Sequence, residues 1–124
     1  MPEELVPRFM QALAERRLGW EELLHADAEF SLLAFEGRTI RGRNAIARAL
    51  NASLALWYRP RVVSTELLDQ RTVLVEGVAR FPKGRGIAES RAYWLEEVLD
   101  GLVWRVRGFT SEAAARKAYA DSLP

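Results

Sequence analysis

The apolar residues near the start of the chain recur at helical spacing. Residues 3–18 carry an apolar stripe at positions three and four apart, which predicts an amphipathic helix. The stripe consists of Leu5, Phe9, Ala12 and Leu13. Gly19 is expected to end this helix, because glycine readily adopts the left-handed conformation that follows many helices. Pro7 is unfavourable beyond a first helical turn, so we expect the helix to begin near residue 5 or to be kinked.

Two more helices are predicted before the middle of the chain. Residues 20–26 fit a short helix, and residues 28–35 form a predicted strand after it. Asn44 can cap a longer amphipathic helix that Pro60 would end. The apolar positions of that helix are Ile46, Ala49, Leu50, Leu54 and Trp57. The first half of the chain is therefore predicted to be mainly helical.

The second half of the chain contains four runs typical of strands. They cover residues 61–68, 71–81, 88–99 and 102–109, and an Ala-rich helix is predicted from about Ser111. Helices followed by hairpin-linked strands are typical of an α+β fold. We therefore expect a single domain over residues 1–124, in which N-terminal helices pack on one face of a curved antiparallel sheet.

Composition narrows the classes of function. Eighteen Lys and Arg residues against seventeen Asp and Glu residues leave a net charge of +1, so we expect neither nucleic acid nor a membrane surface as partner. With no cysteine and one histidine, a disulfide, a thiolate nucleophile or a metal site is not expected, and neither is a cofactor. No apolar run approaches the roughly 20 residues of a membrane span, and the N-terminus does not resemble a signal peptide. We expect a soluble, cytoplasmic protein.

Asp100 and Gly101 give the clearest turn signal in the sequence. A type I′ turn needs positive φ at both central residues, which Asp-Gly accommodates. Pairing the strands directly across this turn predicts these facing pairs: Glu96 with Arg105, Trp94 with Arg107, and Ala92 with Phe109. The first two pairs would form an ion pair and a cation–π contact. The opposite face of the two strands would carry Tyr93, Leu95, Trp104 and Val106.

Two assignments of these faces are open on hydrophobicity alone. The face with Tyr93 and Trp104 is the more apolar and would make the better core. In that case Arg105 and Arg107 belong to a solvated ladder, in which each ion pair contributes about 0–1 kcal/mol. In the other assignment the two arginines turn toward the helices and line a cavity.

Three segments, taken in order, resemble one known group of proteins. They are "LLHADAEF" at 23–30, "RGRNAI" at 41–46 and "DGLVWRVRGFT" at 100–110. Together they are similar to the NTF2-like superfamily, and within it to the SnoaL-like polyketide cyclase and ketosteroid isomerase group. The resemblance implies a cone: a strongly bent antiparallel sheet wrapped around helices, with a pocket at the open end. Members of this group are often dimers through the outer face of the sheet.

The resemblance also implies which residues line the pocket. It turns the face with Arg107 inwards, among largely apolar walls. The expected ligand-binding residues are Arg107, Arg105, Trp94, Phe109, Glu96, Phe9, Trp57 and Ser90. The catalytic positions of the ketosteroid isomerases match Phe9, Leu33 and Ala92, none of which can exchange a proton, so no catalytic residue is assigned. His25 is interpreted as a structural residue at the end of the short second helix.

These observations predict a binding function. The expected ligand is a small apolar molecule with a carbonyl or carboxylate group, and the corresponding chemistry is that of cofactor-free isomerases, cyclases or hydratases. A homodimer through Tyr93, Leu95, Trp104 and Val106 is also expected, because these side chains would otherwise expose a large apolar patch. The alternative is a non-catalytic binding or dimerisation module whose cavity is filled by its own side chains. Phosphate or nucleic-acid binding ranks last.

Overall fold

Six strands form one curved, unclosed sheet in the computed structural model, which describes residues 1–35, 37–52 and 58–124. The strands are β1 (Leu24–Ser31), β2 (Ile40–Arg41), β3 (Arg61–Leu67), β4 (Thr72–Lys83), β5 (Gly86–Leu99) and β6 (Leu102–Phe109). Their order is β2-β1-β6-β5-β4-β3. β1 runs parallel to β6, and all other neighbours are antiparallel. The α+β class is thus confirmed, although the sheet is mixed rather than wholly antiparallel.

The helix α1 (Pro2–Glu15) begins and ends earlier than the sequence suggested. Pro2 occupies its first turn, where the missing N–H of proline costs no hydrogen bond. Pro7 lies inside the helix, so the predicted start near residue 5 is wrong. The helix ends at Arg16, which adopts the left-handed conformation three residues before the expected Gly19.

The following segment is less helical than predicted. Only Trp20–Leu23 form a 3₁₀ turn, and β1 starts directly after it, four residues before the predicted strand. Leu33–Phe35, expected to end that strand, form another 3₁₀ turn. The short β2, which no pattern indicated, pairs with β1.

The remaining helices agree better with their sequence signals. α2 (Arg43–Asn51) follows Gly42 as N-cap, so Asn44 lies inside the helix rather than capping it. The predicted continuation over residues 53–57, with Leu54 and Trp57, lies outside the described residues. α3 (Glu112–Ser122) begins after Ser111, whose hydroxyl accepts a hydrogen bond from the Ala114 N–H at 3.1 Å.

A β-bulge shifts the pairing of β5 with β6 by one residue. The turn at Asp100-Gly101 forms as predicted, with φ of 54° and 76°. Val98 faces Val103, but Glu97 then faces Arg105, so Trp104 is the extra residue on β6. The predicted pairs Glu96–Arg105, Trp94–Arg107 and Ala92–Phe109 are therefore wrong. A bulge changes the face that every later side chain occupies.

The two faces of the sheet have different coverings. The inner face packs against α1 and α2, and its fully or nearly fully buried residues are Val73, Val75, Ala92, Trp94, Glu96, Val103 and Val106. The outer face carries Leu74, Tyr93, Leu95, Glu97, Arg105, Arg107 and Phe109. Part of the outer face is covered by α3, whose Ala115 is fully buried there.

Candidate functional site

Glu96 lies in the middle of the inner face. Its partners across the sheet are Val73 on β4 and Val106 on β6, both buried in the core. Because side chains alternate along a strand, Glu96 shares its face with Trp94, two residues earlier. The exposed fraction of Glu96 is 0%. A carboxyl group is thus enclosed within the apolar core, where glutamate is rarely found unless it is paired.

The Glu96 carboxyl holds its proton to a higher pH than an ordinary glutamate does. Burial raises its pKa to about 8, because the charged form loses its hydration in the core. In the described part of the chain, neither carboxyl oxygen has a hydrogen-bond partner. A buried polar group without a partner destabilises a fold by about 1–3 kcal/mol, so its presence calls for an explanation, and a catalytic role is one.

Tyr58 and Trp94 form a buried polar pair that interacts electrostatically with Glu96. The Trp94 Nε1–H donates a hydrogen bond to the Tyr58 hydroxyl oxygen at 2.8 Å. Burial raises the pKa of Tyr58 above its usual range, and the nearby charge of Glu96 raises it further. The Tyr58 hydroxyl therefore stays protonated at neutral pH and close to Glu96.

Arg16 bonds to the ends of two helices and also acts electrostatically on Tyr58. Its guanidinium donates hydrogen bonds to the carbonyl oxygens of Leu13 at 2.5 Å and Leu50 at 3.0 Å, and so links the ends of α1 and α2. Burial and the neighbouring Arg59 lower the pKa of Arg16. Its charge in turn favours the ionised form of Tyr58, so Arg16 acts on the same polar group.

The outer face carries a row of alternating charges. Arg41 donates to Glu29 at 2.7 Å, and Arg105 contacts both Glu29 at 3.6 Å and Glu97 at 3.3 Å. Arg107 ends the row, with its Nη2 at 4.0 Å from the Glu97 Oε2. The arginines of β6 therefore point away from Glu96, into a partly solvated ladder.

Comparisons with solved structures agree on the architecture. No protein-family model matches the chain, and no curated protein matches it in sequence. A candidate polyketide cyclase from Sinorhizobium meliloti superposes with a TM-score of 0.70 at 18% identity, over 86% of this chain and 94% of that one. A candidate ketosteroid isomerase from Kribbella flavida gives 0.66 at 23% identity, over 88% and 76%. TerC, co-crystallised with polyporic acid, gives 0.71 at 18% identity, over 94% and 95%.

The chain has the NTF2-like fold. The α+β fold implied by the sequence resemblance is thereby confirmed, and the pocket at its open end stays a prediction. At these identities the comparisons show the fold alone, so the chemistry has to be argued from the residues of this chain.

Within this NTF2-like fold, the residues expected to line the pocket divide into separate groups. Glu96, Trp94 and Phe9 lie on the inner side, where Phe9 contacts the ring of Phe30 edge-on at 6.0 Å. Arg105, Arg107 and Phe109 lie on the outer face, so the prediction that they turn inwards is wrong. The cause is the bulge at Trp104.

Two expected pocket residues lie elsewhere. Ser90 is exposed, and its hydroxyl donates to the carbonyl oxygen of Arg91 at 3.1 Å. Trp57 lies outside the described residues. The predicted cation–π contact is also wrong: Arg105, not Arg107, stacks on an indole, at 5.9 Å from the ring centre of Trp104.

The surface predicted for dimer formation is not a single exposed face. Val106 is buried on the inner face, whereas Leu95 is buried on the outer face against α3. Tyr93 packs beside Leu95, and Trp104 is half-buried at the bulge. This surface assignment is therefore wrong, because the chain's own helix covers half of it. Homodimer formation itself stays a prediction.

The single histidine, possible metal ligands and possible membrane helices complete the comparison with the sequence. His25 was expected at the end of a helix, which is wrong, because it lies on β1. Its Nδ1 accepts a hydrogen bond from the Asp27 N–H at 3.0 Å, and its Nε2 is 3.4 Å from the Asp100 carboxylate. Among the described residues, no group of three or more His, Cys, Asp or Glu residues could hold a metal ion. In the same part of the chain, no helix is long and apolar enough to cross a membrane.

Proposed function

We propose that the protein binds a small, mostly apolar carbonyl compound at the inner face of the sheet, and that Glu96 exchanges a proton with it. The observation that carries this proposal is the enclosed, unpartnered carboxyl of Glu96 beside Tyr58. The chemistry is of the cofactor-free isomerase or cyclase type. The names of the solved structures with this fold point in the same direction.

The environment of Glu96 suits proton exchange near neutral pH. With a pKa of about 8, the carboxyl is mainly neutral at pH 7 but also populates its charged form. The neutral form can donate a hydrogen bond to a carbonyl oxygen. The carboxylate can remove a proton from the carbon next to the carbonyl, which leaves an enolate and a neutral Glu96. Returning that proton to another carbon of the enolate completes an isomerisation with atoms and charge balanced.

Two neighbouring side chains would support the bound molecule. Trp94 supplies an apolar ring next to Glu96 and holds the Tyr58 hydroxyl oxygen with its own N–H. Since that oxygen already accepts from Trp94, the Tyr58 O–H remains able to donate toward a developing enolate. Arg105 and Arg107 have no part in this site, because they lie on the other face of the sheet.

A second function is favoured by the packing. Phe9, Trp94 and Glu96 are at most 2% exposed, and a cavity of about 570 Å³ lies between α1 and the start of β3, with Glu96 absent from its lining. A non-catalytic module whose interior around Glu96 is filled by its own side chains would show this closed packing. The cavity beside α1 is itself large enough for a small molecule, but it does not reach Glu96. The experiment below separates the two functions.

Deuterium exchange at the carbon next to a ketone tests the first function. The wild-type chain is incubated in D₂O with 2-tetralone and related apolar ketones, and exchange is followed by proton NMR. We expect exchange faster than in buffer, and Glu96→Gln to slow it by about 10²-fold or more, because a general base contributes that much.

Glu97→Gln is the matched control, since it removes a neighbouring carboxylate from the other face of the sheet. It should leave the exchange rate close to that of the wild type. If Glu96→Gln exchanges as fast as the wild type, Glu96 is not the base. If no ketone exchanges faster than in buffer and none binds, the filled-interior function holds instead.

A further inference from the structure

A second cavity opens on the outer face, beside α3. Its volume is about 360 Å³, at the lower end of the range for sites that bind small molecules. It lies between the β3–β4 turn, the outer side of β5 and β6, and the last turn of α3. Its polar lining includes Asp69, Arg71, Thr72, Glu97, Arg107 and Tyr119. The sheet separates this cavity from Glu96.

Arg107 is incompletely neutralised at this cavity. Its side chain is 20% exposed, and its buried Nε–H has no acceptor in the described part of the chain. Glu97 is 4.0 Å from its Nη2 and is nearer to Arg105, at 3.3 Å. Burial and the neighbouring charge of Arg105 both lower the pKa of Arg107. A cation that has lost part of its hydration without gaining a close anion is well suited to bind one.

The other polar groups of the cavity are largely satisfied. The Tyr119 hydroxyl donates to Asp69 at 2.8 Å, and the Arg71 N–H donates to the same carboxylate at 2.8 Å. The Ser122 hydroxyl donates to the Tyr119 carbonyl oxygen at 2.7 Å. The positively charged donors in the cavity lining are the guanidinium groups of Arg107 and Arg71.

We propose that this cavity binds the carboxylate group of a small organic acid, held by Arg107 and assisted by Arg71. Planar guanidinium groups bind planar carboxylates through paired hydrogen bonds. Two acidic residues, Asp69 and Glu97, also line the cavity and repel added negative charge. A single carboxylate is consequently favoured over a phosphate dianion. This site is independent of the proposed reaction at Glu96.

An NMR titration at constant ionic strength tests the proposal. The ¹⁵N-labelled chain is titrated with acetate, benzoate and inorganic phosphate, and the Arg107 Nε–H and the backbone signals of Thr72 and Ser122 are followed. We expect saturable shifts with acetate and benzoate at millimolar concentrations, and weaker binding of phosphate. Shifts that do not saturate, or tighter binding of phosphate than of either carboxylate, would overturn the assignment.

Three variants locate the binding. Arg107→Gln should weaken carboxylate binding by about tenfold or more, as expected for a lost charge-assisted hydrogen bond. Arg91→Gln removes the same charge at an exposed position of β5, outside the cavity, and should change affinity less than threefold. Ser122→Trp fills the cavity from the exposed end of α3 and leaves both arginines in the sequence. It should abolish binding, and it tests the site even if Arg107→Gln folds poorly. Equal weakening by the two arginine variants, or unchanged binding by Ser122→Trp, would contradict the site.

Discussion

Glu96 and Glu97 are consecutive carboxylates with opposite environments. Glu97 lies in the charge ladder of the outer face, 3.3 Å from Arg105. Glu96 is enclosed by the core and has no hydrogen-bond partner among the described residues. The sequence predicted a polar partner for Glu96 because pairing from the turn placed Arg105 opposite it. No property of the two residues themselves distinguishes them, since the difference arises from the bulge at Trp104 and the packing around β5.

The buried carboxyl makes folding stability depend on pH. The pKa of Glu96 is about 8 in the folded chain, against an ordinary value of 4.5 in the unfolded chain. Between these values the folded state keeps a proton that the unfolded state releases, so the free energy of unfolding falls as pH rises. The slope is about 1.4 kcal/mol per pH unit, and the total is on the order of 5 kcal/mol. Below pH 4.5 both states are protonated and the effect vanishes.

Urea denaturation of Glu96→Gln at pH 5.5, 7 and 8.5 checks this dependence. The neutral amide cannot ionise, so the variant should gain stability relative to the wild type as pH rises. Glu97→Gln serves as the control and should follow the wild-type pH profile. A constant difference between Glu96→Gln and the wild type across this range would show that Glu96 is not protonated in the fold.

The strands were the most predictable elements. Alternation and the Asp100-Gly101 turn located β3 to β6 within a few residues, because a half-buried strand and a type I′ turn each require particular residue types. β2 was missed because two residues are too few to form a pattern. The helix predicted over residues 20–26 is wrong, since burial of β1 beside β6 outweighs the helical spacing there.

The bulge in β6 is the element that alternation could not predict. Trp104 suits a paired strand position and an unpaired one equally well, and nothing local marks it as extra. The register is instead decided by which face is buried: with Trp104 unpaired, Val106 enters the core and both arginines stay outside. The resemblance to a known family turned the correct face of β5 inwards but the wrong face of β6, because the predicted pairing contained no bulge.

Gly77 on β4 permits the close approach of β3 and is a sensitive position for the sheet. A Cβ there would lie 2.2 Å from the carbonyl oxygen of Arg61 and 3.0 Å from the ring of Trp94. We expect Gly77→Ala to destabilise the fold by about 1–3 kcal/mol, because the backbone cannot move aside without breaking the β3–β4 ladder. Thermal unfolding measures the effect.

Gly86→Ala is the matched control on the neighbouring strand. Apart from its chain neighbours, no atom of the described residues lies within 4 Å of a Cβ at Gly86, so the effect should stay within about 0.5 kcal/mol. Equal destabilisation by both alanine substitutions would show that the close approach at Gly77 is not tight.

On the scale of the whole molecule, the architecture followed from the order of the elements, while the location of the site did not. Helices before hairpin-linked strands limit the fold to few arrangements, so the NTF2-like fold could be inferred from weak motifs. The site depends on which side chains meet inside, and Tyr58 illustrates this. The sequence pattern assigned it no role, yet its hydroxyl accepts a hydrogen bond from Trp94.

How much of the outer face is exposed depends on α3, which lies far from β5 in the sequence. The apolar patch around Leu95 suggested a dimer, because the strand pattern could not show what covers it. α3 covers this patch with Ala115, Ala118 and Tyr119, and its last turn forms one wall of the Arg107 cavity. The two proposed sites consequently lie on opposite faces of one sheet, each with its own covering layer.

The proposed function of the inner face depends on Glu96 holding a proton inside the fold at neutral pH. The most direct measurement is a carbon-13 NMR titration of the side-chain carboxyl groups in the folded chain, with Glu96→Gln used to assign the signal. We predict that the Glu96 carboxyl titrates near pH 8, well above the exposed glutamates. A titration midpoint near pH 4.5 would show that Glu96 is ionised at neutral pH. That result would overturn the proposed function of the inner face.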